Sequence, residues 1–298
     1  MTSSNIDQKN IDPKVYDLYD TYCHGRMTRR EFLGKASALT VAGGSALAMA
    51  QALLPRYAQA QTISFTDSRI KARYVEYPSA GGTSGTMRGY LVRPSGEGPF
   101  PAVVVIHENR GLNPHIEDVA RRAAVGGFLA LAPDGLFPIG GYPGNDDDGK
   151  QMQRSLDKRK LFTDLLNSAR FVKDHSLSNG KLGATGFCYG GGVVNSLAVT
   201  MGQDLNAGAP FYGRAAATKD VSKIRAALQI HYAEDDARIN AMQDDYRAAL
   251  EASGKEFEMY TYKGTRHGFH NNSTPRYNKV QANLAWTRTM AFFKQHLS

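Results

Sequence analysis

Cysteine is scarce in this chain of 298 residues, which has only Cys23 and Cys188. Cys23 precedes a segment with the pattern of a targeting sequence, so a chain cut after that segment would keep Cys188 alone. A lone cysteine has no intramolecular partner, which excludes a disulfide scaffold for such a chain. It also disfavours a redox-sensing thiol protein, because that function needs a second, resolving cysteine.

Long runs of one charge are also lacking, although the net charge is +8 and the isoelectric point is about 9.4. The densest basic run, residues 157–160, contains an aspartate and lies in a helical pattern. This is typical of a solvated helix face, so we expect no nucleic-acid partner. Residues 61–298 contain no repeat and no low-complexity linker, and 42% of the whole chain is hydrophobic. We therefore predict one globular domain over residues 61–298.

The first 60 residues have the layout of an export signal. The sequence TRREFL at 28–33 is followed by Lys35, an uncharged run at 36–55 rich in small residues, and Ala58-Gln59-Ala60. Paired arginines before Phe-Leu indicate a twin-arginine signal, and the small-x-small pattern indicates cleavage after Ala60. We expect the export machinery as a transient partner and a periplasmic or secreted product. An uncleaved membrane anchor is the alternative, since 20 uncharged residues can span a bilayer.

Strands and helices alternate through the rest of the chain. ARYVEYP and TMRGYLVRP flank GGTSG and predict a hairpin. Buried strands are predicted at PAVVVIHE and FLALAPD, and further strands at KLGATGF, NAGAPFY, RAALQIHYA and FEMYTY. Helices are predicted from Asn113-Pro114, at 152–173, from Tyr189, at INAMQDDYRAALEASG and at the carboxyl end. This order predicts the α/β class, with a mostly parallel sheet covered by helices on both faces.

A sharp turn carries Cys188 between a strand and a helix. Gly186-Phe187-Cys188-Tyr189-Gly190 has the G-x-S-x-G spacing of the nucleophile elbow of α/β-hydrolases, with cysteine in place of serine. Glycines are required two residues away on either side because the strand and helix pass close to the turn. The start of the helix favours the thiolate. A buried structural cysteine in a tight turn is the alternative interpretation.

An acid and a histidine follow in the order that this fold needs. Glu234-Asp235-Asp236 comes after one predicted strand, and His267 comes after the next. A histidine can take the thiol proton while a buried aspartate fixes its tautomer. Spacing alone does not choose among the three acids, and His270 lies close to His267.

Other polar residues have simpler interpretations. His231 lies within a predicted strand and is expected in the core, whereas His107 and Glu108 follow PAVVVI and reach the carboxyl edge of the sheet. DDDG at 146–149 does not have the EF-hand spacing, so a turn and helix start is predicted there. We expect no metal and no cofactor.

Three segments together resemble the dienelactone hydrolases, also called carboxymethylenebutenolidases. They are HENRGLNPHIEDVARRAAVGGFLALAPDGL, SNGKLGATGFCYGGG and GTRHGFHNNSTPRYN, and the resemblance spans nearly all of residues 70–297. TRREFL, HYAEDDARINA and AWTRTMAFFKQHL resemble an exported branch of that family.

The resemblance implies a role for each matching position. Cys188 would be the nucleophile, His267 the base and Asp236 the acid. Glu108 would contact the resting thiol and help to activate it when substrate binds. The backbone N–H groups of Asn109 and Tyr189 would form the oxyanion hole. Each of these residues occupies the position in this sequence that matches the family motif.

One position departs from the family pattern. Asn271 stands where the members that cleave dienelactones have an arginine for the substrate carboxylate, and Arg266 and Arg238 are the nearby cations. The mechanism of the family thus carries over better than its substrate does. We expect a hydrolase that cleaves an ester or lactone through an acyl-enzyme. The alternatives are a broad small-acyl esterase or thioesterase and a catalytically silent periplasmic binding protein on the same fold.

Overall fold

The structure is a computed structural model that describes residues 11–23, 27–41, 45–54 and 57–298. Residues 42–44 and 55 of the uncharged run at 36–55, and half of the first 26 residues, thus lie outside the described ranges. The strands are β1 (Ile70–Ser79), β2 (Gly85–Pro94), β3 (Phe100–Ile106), β4 (Leu129–Pro133), β5 (Ser178–Phe187), β6 (Ala207–Phe211), β7 (Ala227–Asp235) and β8 (Phe257–Arg266).

Eleven α-helices occur in the described part of the chain. They are α1 (Pro13–Cys23), α2 (Arg29–Ser37), α3 (Ala46–Ala52), α4 (Tyr57–Ala60), α5 (Pro114–Val125), α6 (Asp146–Ser155), α7 (Lys158–Lys173), α8 (Tyr189–Met201), α9 (Ala237–Asn240), α10 (Gln243–Ala252) and α11 (Lys279–Leu297). Short 3-10 turns cover Phe137–Ile139, Gly202–Asp204 and Thr218–Lys223.

All eight strands form one sheet in the order β1-β2-β4-β3-β5-β6-β7-β8. β1 and β2 pair antiparallel as the predicted hairpin, β2 pairs antiparallel with β4, and every other pair is parallel. The predicted α/β class with a mostly parallel sheet is confirmed. All five residues of β4 are buried, as its continuous apolar sequence predicts.

Helices cover both faces of the sheet. α7, α8 and α10 pack on one face, where Leu165, Val194 and Leu250 join its core. α5 and α11 pack on the other, through Ile116 and Phe293 among others. This arrangement leaves the carboxyl ends of the parallel strands open for a site between the loops.

Two predicted helices are each divided in the structure. The pattern at 152–173 is interrupted because Leu156 has an extended backbone (ψ 145°) and Asp157 caps α7 by accepting from the N–H groups of Arg159 and Lys160. The pattern after β7 is divided into α9 and α10. Hydrophobic spacing continues across both breaks, so periodicity did not reveal them.

The N-terminal helices form a small core of their own. Phe32, Ala36 and Leu53 are fully buried, and they pack with three tyrosines of α1. In the described ranges, none of the helices has the length and apolar character needed to cross a bilayer.

Candidate active site

Cys188 occupies a strained backbone position between β5 and α8. Its φ is +56° and its ψ is −111°, a combination that costs a residue with a Cβ about 1–3 kcal/mol. A Cβ on Gly186 would lie 2.5 Å from the Gly190 oxygen, and one on Gly190 would lie 2.4 Å from the Ile106 oxygen. The expected need for both glycines is confirmed, and the turn presents Cys188 at the carboxyl edge of the sheet.

The register of β7 and β8 brings an acid and a histidine together. Asp235 and Arg266 are partners in this parallel pair, so the residues that follow them, Asp236 and His267, leave the sheet side by side. The Nδ1–H of His267 donates to Oδ2 of Asp236 at 2.5 Å. Both side chains are almost fully buried.

Asp235 points elsewhere. Its carboxylate is 63% exposed and pairs with the Arg266 guanidinium at 3.2 Å. Glu234 is also turned away, because its carboxylate accepts from the N–H of Gly264 at 2.7 Å. Of the three adjacent acids, the structure therefore places Asp236 beside the imidazole.

The Cys188 thiol and the His267 imidazole are close enough for the charge of each to shift the pKa of the other. Burial opposes ionisation of the thiol, but the neighbouring His267 outweighs burial and holds the pKa of Cys188 below its ordinary value. Burial also disfavours the imidazolium, yet the charge of Cys188 and the hydrogen bond to Asp236 raise the pKa of His267 to about 10. Both directions favour a thiolate beside an imidazolium.

Glu108 lies in a buried chain of charges behind the thiol. Burial alone would raise the pKa of its carboxyl, but nearby cations, led by Arg110, hold that pKa below its usual value. Arg110 lies 3.7 Å from Glu108 and donates to Asp146 at 2.6 Å. The Asn271 amide also donates to Glu108, at 3.1 Å. Glu108 thus pairs with Arg110 and accepts from Asn271, whereas the thiol interacts with His267.

The other three histidines considered in the sequence analysis have structural surroundings. His270 stacks on Phe187 with ring centres 4.9 Å apart, and burial holds its pKa well below its usual range. His231 bonds to the Tyr262 hydroxyl at 2.8 Å inside the sheet, which confirms its expected core position. His107 accepts from the N–H of Gly135 at 3.3 Å.

A cavity of about 870 Å³ opens beside the thiol, a volume typical of small-molecule sites. Asn109, Cys188 and Tyr189 line it together. Most of its charged lining residues are basic, and the set is Lys150, Arg154, Lys158, Arg214, Arg238 and Asp245. The excess of cations makes the cavity suited to an anionic small molecule.

Several of these residues were not identified from sequence. Arg110 and Asp146 lie 36 positions apart, and the acidic cluster at 146–149 suggested only a helix start, which is confirmed. Arg238 does line the cavity, whereas Arg266 pairs with Asp235. Asn271 is fully buried against Glu108 and is not among the cavity residues. No local pattern links these positions, because each depends on a long-range contact.

The eight-stranded sheet, the elbow at Cys188 and the buried His267–Asp236 pair place this chain among the α/β-hydrolases. Residues 87–297 match the model of the dienelactone hydrolase family. The chain therefore belongs to the dienelactone hydrolase family and is a hydrolase that acts on ester or lactone bonds.

Individual relatives agree with this assignment. The chain is 58% identical over 114 residues to the Escherichia coli K12 protein YghX, which is named as a hydrolase fragment. This match covers 38% of this chain and 97% of YghX. The chain is 29% identical over 231 residues, covering 72% of this chain and 92% of the other, to a Bradyrhizobium protein named as a 2-oxo-3-(5-oxofuran-2-ylidene)propanoate lactonase. A Klebsiella pneumoniae structure named as a dienelactone hydrolase superposes with a TM-score of 0.65 at 26% identity, covering 75% of this chain and 99% of that one.

A second match lies at the amino end. Residues 3–42 are similar to a family described as YqhI-like. This match covers α1 and α2 and does not overlap residues 87–297, which match the dienelactone hydrolase family.

Proposed function

We propose that this hydrolase uses Cys188 as a nucleophile and cleaves small anionic esters or lactones through an acyl-enzyme. The observation that supports this most directly is the series Cys188–His267–Asp236 at the edge of a cationic cavity, in which His267 interacts with the thiol and bonds to Asp236. A dienelactone carries both a lactone, which the thiol would open, and a carboxylate, which the cationic lining would attract. The lactone named for the Bradyrhizobium relative is likewise a carboxylate.

In the proposed reaction each group has one role. Sγ of Cys188 attacks the carbonyl carbon, and the carbonyl electrons move to the oxygen, which accepts from the N–H groups of Asn109 and Tyr189. His267 gives its proton to the leaving oxygen as the C–O bond breaks, which leaves a thioester. Asp236 stabilises the imidazolium during this transfer. Water, deprotonated by His267, then adds to the thioester and releases the thiolate and a carboxylic acid.

Trapping the acyl-enzyme tests this proposal. The purified chain is mixed with cis-dienelactone or p-nitrophenyl acetate, quenched during the first turnover and digested for mass spectrometry. We expect a burst of about one equivalent and an acyl group on the Cys188 peptide that disappears as turnover ends. An acyl group on another side chain would contradict the proposal. The ratio of the two rates separates a dienelactone hydrolase from a broad small-acyl esterase or thioesterase.

The cationic cavity predicts a charge-specific effect at Arg238. Arg238→Gln is expected to raise KM for an anionic ester such as p-nitrophenyl hemisuccinate about tenfold, because a charge-assisted hydrogen bond contributes about 1.5–3 kcal/mol. KM for neutral p-nitrophenyl acetate should stay within about twofold of wild type. Steady-state kinetics on both esters measure this difference.

Arg247→Gln is the matched control for Arg238. Arg247 lies on α10 with its guanidinium 6.0 Å from the centre of the Phe257 ring, and it is not among the cavity residues. The Arg247→Gln substitution removes the same charge from the chain and leaves the lining of the cavity unchanged. Equal KM changes in the two variants would show that net charge, and not the cavity, selects the substrate.

We further propose that the twin-arginine pattern directs export of the chain. Arg29 and Arg30 are exposed at the start of α2, where Thr28 and Glu31 form a capping box. Cell fractionation should place the wild-type protein in the periplasm and an Arg29→Lys/Arg30→Lys variant in the cytoplasm. Recovery of the wild type with a cytoplasmic marker enzyme would contradict export.

A further inference from the structure

One face of α1 consists of tyrosines. Tyr16, Tyr19 and Tyr22 recur every three residues, so they line one side of the helix. Each is at most 5% exposed. Phe32 of α2 packs against two of them, with ring centres 5.7 Å from Tyr19 and 5.1 Å from Tyr22.

A cation from residues 61–298 lies against each of these three tyrosine rings. The guanidinium of Arg266 lies 4.6 Å from the centre of the Tyr16 ring, and that of Arg276 lies 4.9 Å from the Tyr19 ring. The ammonium of Lys150 is closest, 3.5 Å from the centre of the Tyr22 ring. Three cation–π contacts therefore join α1 to the domain.

These three cations also lie close to the active site. Lys150 is buried and lines the cavity. Arg276 is packed against Gly268, the residue after His267, so closely that a Cβ there would lie 2.8 Å from its Cζ. The charge of Arg276 also acts on Glu108. Arg266 directly precedes His267.

A second connection runs from α4 into the buried charge chain. The Tyr57 hydroxyl donates to Asp146 at 2.6 Å and accepts from the Asn113 amide at 2.8 Å. The other carboxylate oxygen of Asp146 accepts from Arg110, which faces Glu108. Tyr57 lies on the amino side of the predicted cut after Ala60.

We propose that residues 11–60 stay on the active enzyme as a cap that positions Lys150 and the Glu108–Arg110–Asp146 chain. Cleavage after Ala60 would remove all four tyrosines, and with them the ring contacts of Lys150 and Arg276 and the hydroxyl that donates to Asp146. This departs from the predicted cut, because the export pattern is local and says nothing of what the folded segment contacts. Export then delivers the chain with its N-terminal segment attached.

The size of the protein tests retention independently of its activity. Intact mass and N-terminal sequencing of protein purified from its natural compartment should give a chain that still contains residues 11–60. A chain that begins at Gln61 would overturn the proposal, whatever the enzyme hydrolyses.

Kinetics of the full chain test the positioning role, which rests on the proposed function. Tyr22→Leu should raise KM for p-nitrophenyl hemisuccinate about fivefold, because Lys150 loses its ring partner, while kcat for p-nitrophenyl acetate changes less than about twofold. Tyr22→Phe keeps the ring and should restore the wild-type KM. Unchanged KM in Tyr22→Leu would overturn the positioning role.

A matched control and a second variant complete the experiment. Tyr260→Leu removes a cation–π contact of the same kind, with Arg288 at 3.9 Å, away from the cavity, and should leave both KM values unchanged. If circular dichroism shows that Tyr22→Leu unfolds the helices, Tyr57→Phe, which loses one hydroxyl, should lower kcat/KM about threefold. Wild-type rates in Tyr57→Phe would then overturn the proposal.

The Arg238→Gln variant separates failure of this proposal from failure of the proposed function. If neither Arg238→Gln nor the tyrosine variants change the kinetics with the anionic ester, the proposed substrate class is wrong. If only the tyrosine variants have no effect, the proposed cap is wrong.

Discussion

Cys188→Ala is expected to lower kcat/KM for cis-dienelactone and for p-nitrophenyl acetate by roughly 10⁴-fold or more. Without the sulfur no thioester forms, and His267 has no thiol to activate; loss of a nucleophile in a comparable triad costs about 10⁶ in kcat. Residual hydrolysis would come from the oxyanion hole and binding alone. The measurement is steady-state hydrolysis of both substrates at matched enzyme concentrations.

Thermal unfolding provides the control for this variant. Alanine keeps the Cβ and therefore the same strain at φ +56°, so the melting temperature should change little. A variant that melts like the wild type and hydrolyses like it would remove Cys188 from the mechanism. It would leave the chain in its family with a different nucleophile.

Asp236→Asn is expected to lower kcat/KM by about 10³- to 10⁴-fold. The asparagine amide would face Nδ1 of His267, so the ring would be held in the tautomer whose Nε2 carries a proton and cannot accept one from the thiol. The pKa of His267 should fall as well, because the hydrogen bond to Asp236 helps to raise it to about 10. Both effects are measured by the pH dependence of kcat/KM.

Asp235→Asn is the matched control, since it changes the same atoms one residue away. Its carboxylate is 63% exposed and pairs with Arg266 outside the thiol–imidazole pair. An exposed ion pair contributes little, so activity should stay within about threefold of wild type. The reverse ranking of the two variants would assign the acid to Asp235.

The surroundings of Glu108 bear on how the thiol is activated. The family resemblance implies a glutamate that contacts the resting thiol, which would keep it neutral until substrate arrives. In the structure Glu108 faces Arg110 and Asn271, and the pKa of Cys188 is held below its ordinary value by His267. A lowered thiol pKa makes the thiol more reactive before substrate binds, and it also makes the thiol more open to oxidation.

Local sequence determined the elements and the order of the site residues. Continuous apolar runs gave the buried strands, and Asn113-Pro114 gave the start of α5 because asparagine caps and proline suits the first helical turn. The glycines around Cys188 gave the elbow, because backbone atoms lie where their side chains would be. Such features depend on neighbours within a few residues, so the amino-acid sequence alone is enough to predict them.

Tertiary structure decided which side chains meet. The register of β7 and β8 explains why Asp236, and not Asp235, faces His267. Folding also placed Arg238 at the cavity, paired Arg110 with Asp146, and put the tyrosines of α1 on cations around the site. These contacts join positions dozens to more than two hundred residues apart. Their geometry depends on how strands and helices pack, and neither spacing nor composition records that packing.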